Sequence, residues 1–204
     1  MSNNIKEKIT TDEDAGIVSS CKRGDVDAFE VLVRKHQKKM LNIAYRMVGN
    51  YEDACEIVQD AFVSAYRGIK SFEEKSRFST WLSSIVINLS KNRIKQMKLQ
   101  LHHEPFSLDD PVLTETGSIN PEPQSNNPSI LERLEKKEFQ QKVQGCINSL
   151  NDEYRGVLVL RDIQGFSYDE ISDMLKIADG TVKSRLFRAR ESVKNCLKKV
   201  MGEL

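Results

Sequence analysis

Apolar residues recur along most of this chain at intervals of three and four, the spacing of one helix face. A short helix over 12–21 carries Ala15, Ile17 and Val18, and Arg23-Gly24-Asp25 ends it. Asp25 then caps a longer helix, 26–48, whose inner face is Phe29, Leu32, Val33, His36, Met40, Leu41, Ile43, Ala44 and Met47. Gly49-Asn50 stops that helix. A third, 51–69, turns Ala54, Ile57, Val58, Ala61, Phe62 and Ala65 inward, and a fourth, 78–100, holds the only tryptophan, Trp81. Helical patterning resumes at Ile130–Ile147, with Leu131, Leu134, Phe139, Val143 and Ile147 roughly on one face. Asn151 or Asp152 caps the next helix, which buries Val157, Leu158 and Leu160 before Gln164-Gly165 turns the chain. Ser167-Tyr-Asp-Glu170 fits a capping box before Tyr168, Ile171, Met174 and Leu175. After Ala178-Asp179-Gly180, a last apolar stripe runs through Val182, Leu186, Ala189 and Val193. No segment alternates with strand period and no internal repeat is present, so the fold class is all-α.

Between the fourth and fifth helices the composition changes. All five prolines (Pro105, Pro111, Pro121, Pro123, Pro128) fall there, and from Glu104 to Glu132 there are six acids and no Lys or Arg. Such a stretch neither propagates a helix nor buries much, and reads as an extended acidic linker. The expected organisation is a flexible tail (1–11), a helical domain (12–101), the linker (102–129) and a second small helical domain (130–204). The formal net charge of +1 hides segregation. Six Lys/Arg and no acid lie between Lys75 and His103, and seven basic residues against one acid lie between Lys183 and Lys199. Separate basic patches of this kind are the footprint of nucleic-acid binding.

Other chemistry is sparse. No apolar run approaches the length of a membrane span, and the polar N-terminus does not resemble a secretory signal, so a cytoplasmic protein without membrane insertion is expected. Cys21, Cys55, Cys146 and Cys196 lack metal-ligand spacing, a cytosolic setting disfavours disulfides, and each reads as a small apolar residue. The three histidines, His36, His102 and His103, have no arrangement of the nucleophile or metal kind. No Gly-rich phosphate loop is present. No cofactor and no catalytic activity are expected.

The stretch Gly180-Thr-Val-Lys-Ser-Arg-Leu-Phe-Arg-Ala-Arg190 opens the last helix and sets a basic face around its apolar stripe. Two short helices joined by a tight turn with Gly, the second basic at its N-terminal end, make a helix-turn-helix. Lys183, Ser184, Arg185 and Arg188 would face base edges in a major groove, where arginine bonds guanine bidentately. A stand-alone regulator on a palindromic duplex, or a pure interaction protein, would also fit a helix-turn-helix alone.

Three motifs in order narrow this. Glu52-Asp-Ala-Cys-Glu-Ile-Val-Gln-Asp-Ala-Phe-Val-Ser-Ala-Tyr-Arg67, Phe78-Ser-Thr-Trp-Leu-Ser-Ser-Ile-Val-Ile-Asn88 and Gly180–Arg190 together resemble the extracytoplasmic-function (ECF) sigma factors. These are two-domain promoter-specificity subunits of bacterial RNA polymerase, in the sigma-70 superfamily. The resemblance implies a sigma region 2 domain at 12–101 and a region 4 domain at 130–204. It implies binding to core polymerase at the β′ clamp helices and β flap, promoter recognition and melting, and a role in stress or envelope response. Asp53, Glu56, Gln59 and Asp60 would dock on the clamp helices. Phe72, Lys75, Arg77, Asn88, Lys91, Arg93 and Lys95 would serve the minus-ten element. Thr181, Lys183, Ser184, Arg185, Phe187 and Arg188 would read the minus-thirty-five element. Many members are also held by an anti-sigma factor. Two departures stand out. Ala178 replaces a common Pro, leaving Asp179 as the expected cap of the reading helix. Ser83-Ser84 replaces a common Tyr-Arg pair.

Overall fold

A computed structural model describes residues 12–103 and 130–202, and among the described residues there are helices and turns but no strand. The chain forms α1 (Ala15–Lys22), α2 (Val26–Val48), α3 (Tyr51–Gly68) and α4 (Phe78–His103), with a 3-10 turn at Ile69–Ser71. It continues with α5 (Ile130–Asn148), α6 (Asp152–Leu158, running on into a π-helical turn at Val159–Ile163), α7 (Tyr168–Leu175) and α8 (Asp179–Met201). The expected tail, 1–11, and most of the acidic linker lie outside the described residues.

Local chemistry sets most helix ends. Asp25 Oδ1 accepts from the Ala28 N–H at 3.0 Å, starting α2. Gly49, at φ 80°, ends it by donating its N–H to the Tyr45 carbonyl. This left-handed residue is the one glycine tolerates best. Asn50 caps α3 through the Asp53 N–H at 2.9 Å. α4 is capped from a distance: Asp12 Oδ2 accepts from the Phe78 N–H at 2.6 Å.

Helices α2, α3 and α4 pack on one another and bury Leu32, Met40, Ile43, Met47, Phe78, Leu82 and Ile87. Each such side chain contributes roughly 1.5–3 kcal/mol. His36, on the inner face of α2 as expected, is not merely apolar filling: its Nε2 lies 2.7 Å from Asp14 Oδ2, tying the start of α1 to α2. In the second group α8 packs on α5, α6 and α7. Val182, Leu186 and Ala189 are buried, with Ile171, Val157 and Leu160. The two groups touch, α2 against α5, α6 and the π-helical turn, and α4 against α7.

Two expectations need correction. Leu134 and Phe139, expected inside, are exposed, because the N-terminal half of α5 runs beyond the helices it packs on. The cysteines are not four independent apolar residues. Cys146 and Cys196 form a disulfide joining α5 to α8, whose packing brings their Cα atoms to 5.7 Å, within bridging range. Cys55 is exposed.

Candidate nucleic-acid interface

The α7–α8 pair is built by its caps and its stripe. Ser167 Oγ accepts from the Glu170 N–H at 3.2 Å, and Glu170 Oε2 accepts from the Ser167 N–H at 2.8 Å, a complete capping box. α7 ends at Lys176, left-handed at φ 53°. The N-cap of α8 is Ala178, which has no side-chain acceptor to offer. Asp179, expected in that role, is instead the first helical residue, and its carboxylate pairs with Lys183 at 2.6 Å.

Burial of Val182, Leu186 and Ala189 fixes the rotation of α8 about its axis. Lys183, Ser184, Phe187 and Arg188 consequently face solvent, while Thr181 and Arg185 are half-buried at the edge. Phe187 is 68% exposed, the most exposed large apolar side chain among the described residues. Four cations in the first half of this helix are held by neighbours. Arg185 pairs with Glu153 at 2.7 Å, and Arg188 Nη1 donates to the Tyr154 hydroxyl at 3.2 Å. Asp179 raises the lysine pKa of Lys183, and Tyr154 raises that of Arg188, so both stay charged. Arg190 sits bidentate on Asp162, at 2.9 and 2.6 Å.

In the first group the loop before α4 has an aromatic floor. Phe72 stacks on Trp81 with centroids 4.7 Å apart and meets Phe78 edge-on at 6.2 Å. Phe72 is buried, so in this arrangement it supports the loop rather than offering a face to a base, unlike the sequence expectation. Lys75 and Arg77 are exposed on the loop, Lys75 beside Glu73 at 2.5 Å. Lys22 forms an ion pair with Glu74, which is left-handed at φ 55°.

On α4, Asn88, Lys91 and Lys95 are three and four residues apart and share a face. Asn88 and Lys95 are exposed, whereas Lys91 is half-buried. Burial, then the nearby Arg185, lowers the Lys91 pKa, with Glu153 and Asp152 opposing. Arg93 points to a different side. It forms an ion pair with Asp53, its Nε 2.7 Å from Oδ1, and reaches Glu56 at 3.0 Å. One expected DNA contact is thus joined to two expected polymerase contacts, while Gln59 and Asp60 remain exposed. Ser83 and Ser84 donate to the carbonyls of Ser79 and Trp81, at 2.7 and 2.6 Å, and so bind their own helix. The Arg93, Arg185 and Arg190 pairings were invisible to sequence reading, because their partners lie 28 to 40 residues away. The signal that was available, a base facing no acid on its own helix, points to no particular partner.

A helix-turn-helix with an exposed basic face on one group, and a basic helix bearing an exposed amide on the other, are the build of a DNA-binding protein with two basic surfaces. Comparison with known proteins gives the class its particular form. The family model "Sigma-70 region 2" matches residues 32–99, and "Sigma-70, region 4" matches residues 140–193. The chain is 36% identical over 195 residues to the ECF RNA polymerase sigma-E factor of Escherichia coli, covering 94% of this chain and 96% of that one. It is 32% identical to the RNA polymerase sigma-H factor of Pseudomonas aeruginosa, over 96% of this chain and 99% of that one. With the ECF sigma factor SigW of Bacillus subtilis it shares 35% identity, over 89% of this chain and 95% of the relative.

Solved structures with the same fold include CnrH in complex with the cytosolic domain of CnrY. That match has a TM-score of 0.64 and 22% identity, over 91% of this chain and 97% of CnrH. The sigma factor RpoE of Bartonella quintana, solved with the anti-sigma factor NepR, gives a TM-score of 0.63 and 23% identity, over 85% and 98%. The chain belongs to the ECF sigma factors. It acts with core RNA polymerase and promoter DNA in promoter-specific transcription initiation.

Proposed function

We propose that the two basic surfaces divide the promoter between them. The observation that carries this reading is the rotation of α8. Its buried stripe leaves Lys183, Ser184, Phe187 and Arg188 outward, with Thr181 and Arg185 beside them. This helix enters the major groove of the minus-thirty-five element, with its N-terminal half toward the base edges. Arg188 and Lys183 donate to bases, and Phe187 packs against thymine methyl groups. Asn88 reads an unstacked base of the minus-ten element, with Lys75, Arg77, Lys91 and Lys95 along the backbone. Melting without ATP requires that an unpaired base be recaptured, and stacking with edge hydrogen bonds does this.

Glu56, Gln59 and Asp60 face the β′ clamp helices, and Asp53 holds Arg93 so that α3 and α4 present their surfaces in register. The domain boundaries of the sequence reading, 12–101 and 130–204, are the units that take these roles, with the acidic linker as their tether. The β flap receives the second. The relatives named sigma-E and SigW support a stress or envelope response, and the complexes of CnrH and RpoE support an anti-sigma partner. The chain works inside the cell without a catalytic step of its own; among the described residues no helix is long and apolar enough to cross a membrane.

Abortive initiation on a promoter library, with core polymerase alone or with this protein, tests the assignment. The protein should enable a two-element promoter subset. Arg188→Ala should lose discrimination at the upstream element and Asn88→Ala at the downstream one, each by about 1–3 kcal/mol. A protein that adds nothing to core polymerase but binds a palindrome by itself would be a stand-alone regulator.

A further inference from the structure

A long cationic side chain on a helix surface samples many rotamers. Recognition that depends on its direction improves when the protein fixes that direction beforehand. The cations in the first half of α8 are all partnered, and their partners are not alike. Lys183 faces Asp179 at 2.6 Å, Arg185 faces Glu153 at 2.7 Å, and Arg190 sits on both carboxylate oxygens of Asp162. Each of these three is matched by a negative charge. Arg188 differs: its Nη1 donates to the Tyr154 hydroxyl at 3.2 Å, a partner with a dipole but no carboxylate. Arg188 therefore has a direction without a counter-ion.

The footing of Tyr154 makes it a firm support. Asn151 caps α6, its Oδ1 accepting from the Glu153 N–H at 3.0 Å. Tyr154 follows, half-buried and packed on the core, and Arg155, Gly156, Val157 and Leu158 beyond it are buried. α6 in turn packs along α8. A tyrosine so seated turns about only two torsions and presents its hydroxyl at small entropic cost. The bond to it occupies Nη1 and leaves the edge formed by Nε and Nη2 of the planar guanidinium for a base. Guanine offers O6 and N7 to such an edge in the major groove. Arg188 is exposed, whereas Arg185 is half-buried where it pairs with Glu153.

We infer that Tyr154 is a positioning residue for promoter recognition: its hydroxyl aims the open edge of Arg188 at a guanine of the minus-thirty-five element. Arg188 is then the specificity-determining cation of α8, while Arg185 and Arg190 brace the helix against its neighbours. This rests on the assignment of α8 to that element above.

The test uses the full-length chain with core polymerase, scored by abortive initiation on promoters in which each upstream position is substituted in turn. Arg188→Ala identifies the position that Arg188 reads. Tyr154→Phe keeps the packed ring and removes only the hydroxyl. It should lose about three- to tenfold of the discrimination at that one position, the yield of a single net hydrogen bond, and leave the other upstream positions unchanged. Because no charge is removed, the salt dependence of promoter binding should stay that of the unaltered chain. In the Arg188→Ala background Tyr154→Phe should have no further effect, since the two side chains act as one unit. A purely structural role of Tyr154 would instead lower all upstream positions together, with or without Arg188. That pattern, or full discrimination retained in Tyr154→Phe, overturns the positioning role. The two readings are separable. If Arg188→Ala changes no upstream position, the assignment of α8 falls and this inference with it; if Arg188→Ala acts and Tyr154→Phe does not, only the role of Tyr154 falls.

Discussion

At the scale of single residues, the N-cap of α8 is the position with most to gain. Ala178 has extended backbone and no side chain to accept from the first free N–H groups of the helix. Serine there should stabilise the protein by about 1 kcal/mol, as alanine-to-cap replacements do in reverse, read as a higher midpoint in urea unfolding. Gly49 is the opposite case. Alanine at that positive φ carries a strain of about 1–2 kcal/mol, and its Cβ would also meet the Asn148 amide. Gly49→Ala should therefore lower the urea midpoint and, by pushing on Asn148, loosen the seam with α5. In the core, Leu186→Ala removes a fully buried side chain between α8 and its neighbours. It should cost about 2–5 kcal/mol and abolish duplex binding through loss of helix orientation rather than of any base contact.

Among the elements, what is legible in the sequence is whatever a few neighbouring residues decide. Both ends of α2 and the start of α3 follow from Asp25, Gly49 and Asn50, and the start of α7 follows from Ser167 and Glu170. The outward face of α8 follows from the period of Val182, Leu186 and Ala189. Features made through space were not legible. Asp12 caps α4 across 66 positions, and Asp14 meets His36 from the end of a different helix. The exposure of Leu134 and Phe139 depends on how far α5 extends past its neighbours, which periodicity alone does not report. The candidate site divides in the same way. The basic residues and Asn88 could be named from pattern and resemblance, whereas the burial of Phe72 under Trp81 and the capture of Arg93 by Asp53 required the fold. Asp53→Ala offers a check on that capture. Freeing Arg93 from a half-buried carboxylate should weaken polymerase association more than Gln59→Ala does, measured by competition for core polymerase.

For the whole molecule, the bond between Cys146 and Cys196 joins the first helix of the second group to its last. It closes a loop of 50 residues, and such a constraint on the unfolded chain amounts to about 4 kcal/mol in the chain-entropy description. Reduction should lower the unfolding midpoint of the second group, and Cys146→Ser with Cys196→Ser should reproduce that loss without reductant. The outward face of α8 from Thr181 to Arg188 lies within this covalent ring. A protease that nicks the backbone once anywhere between those two cysteines would therefore release nothing. The cut chain would migrate as a single species on a non-reducing gel and fall into two fragments only when the thiols are restored.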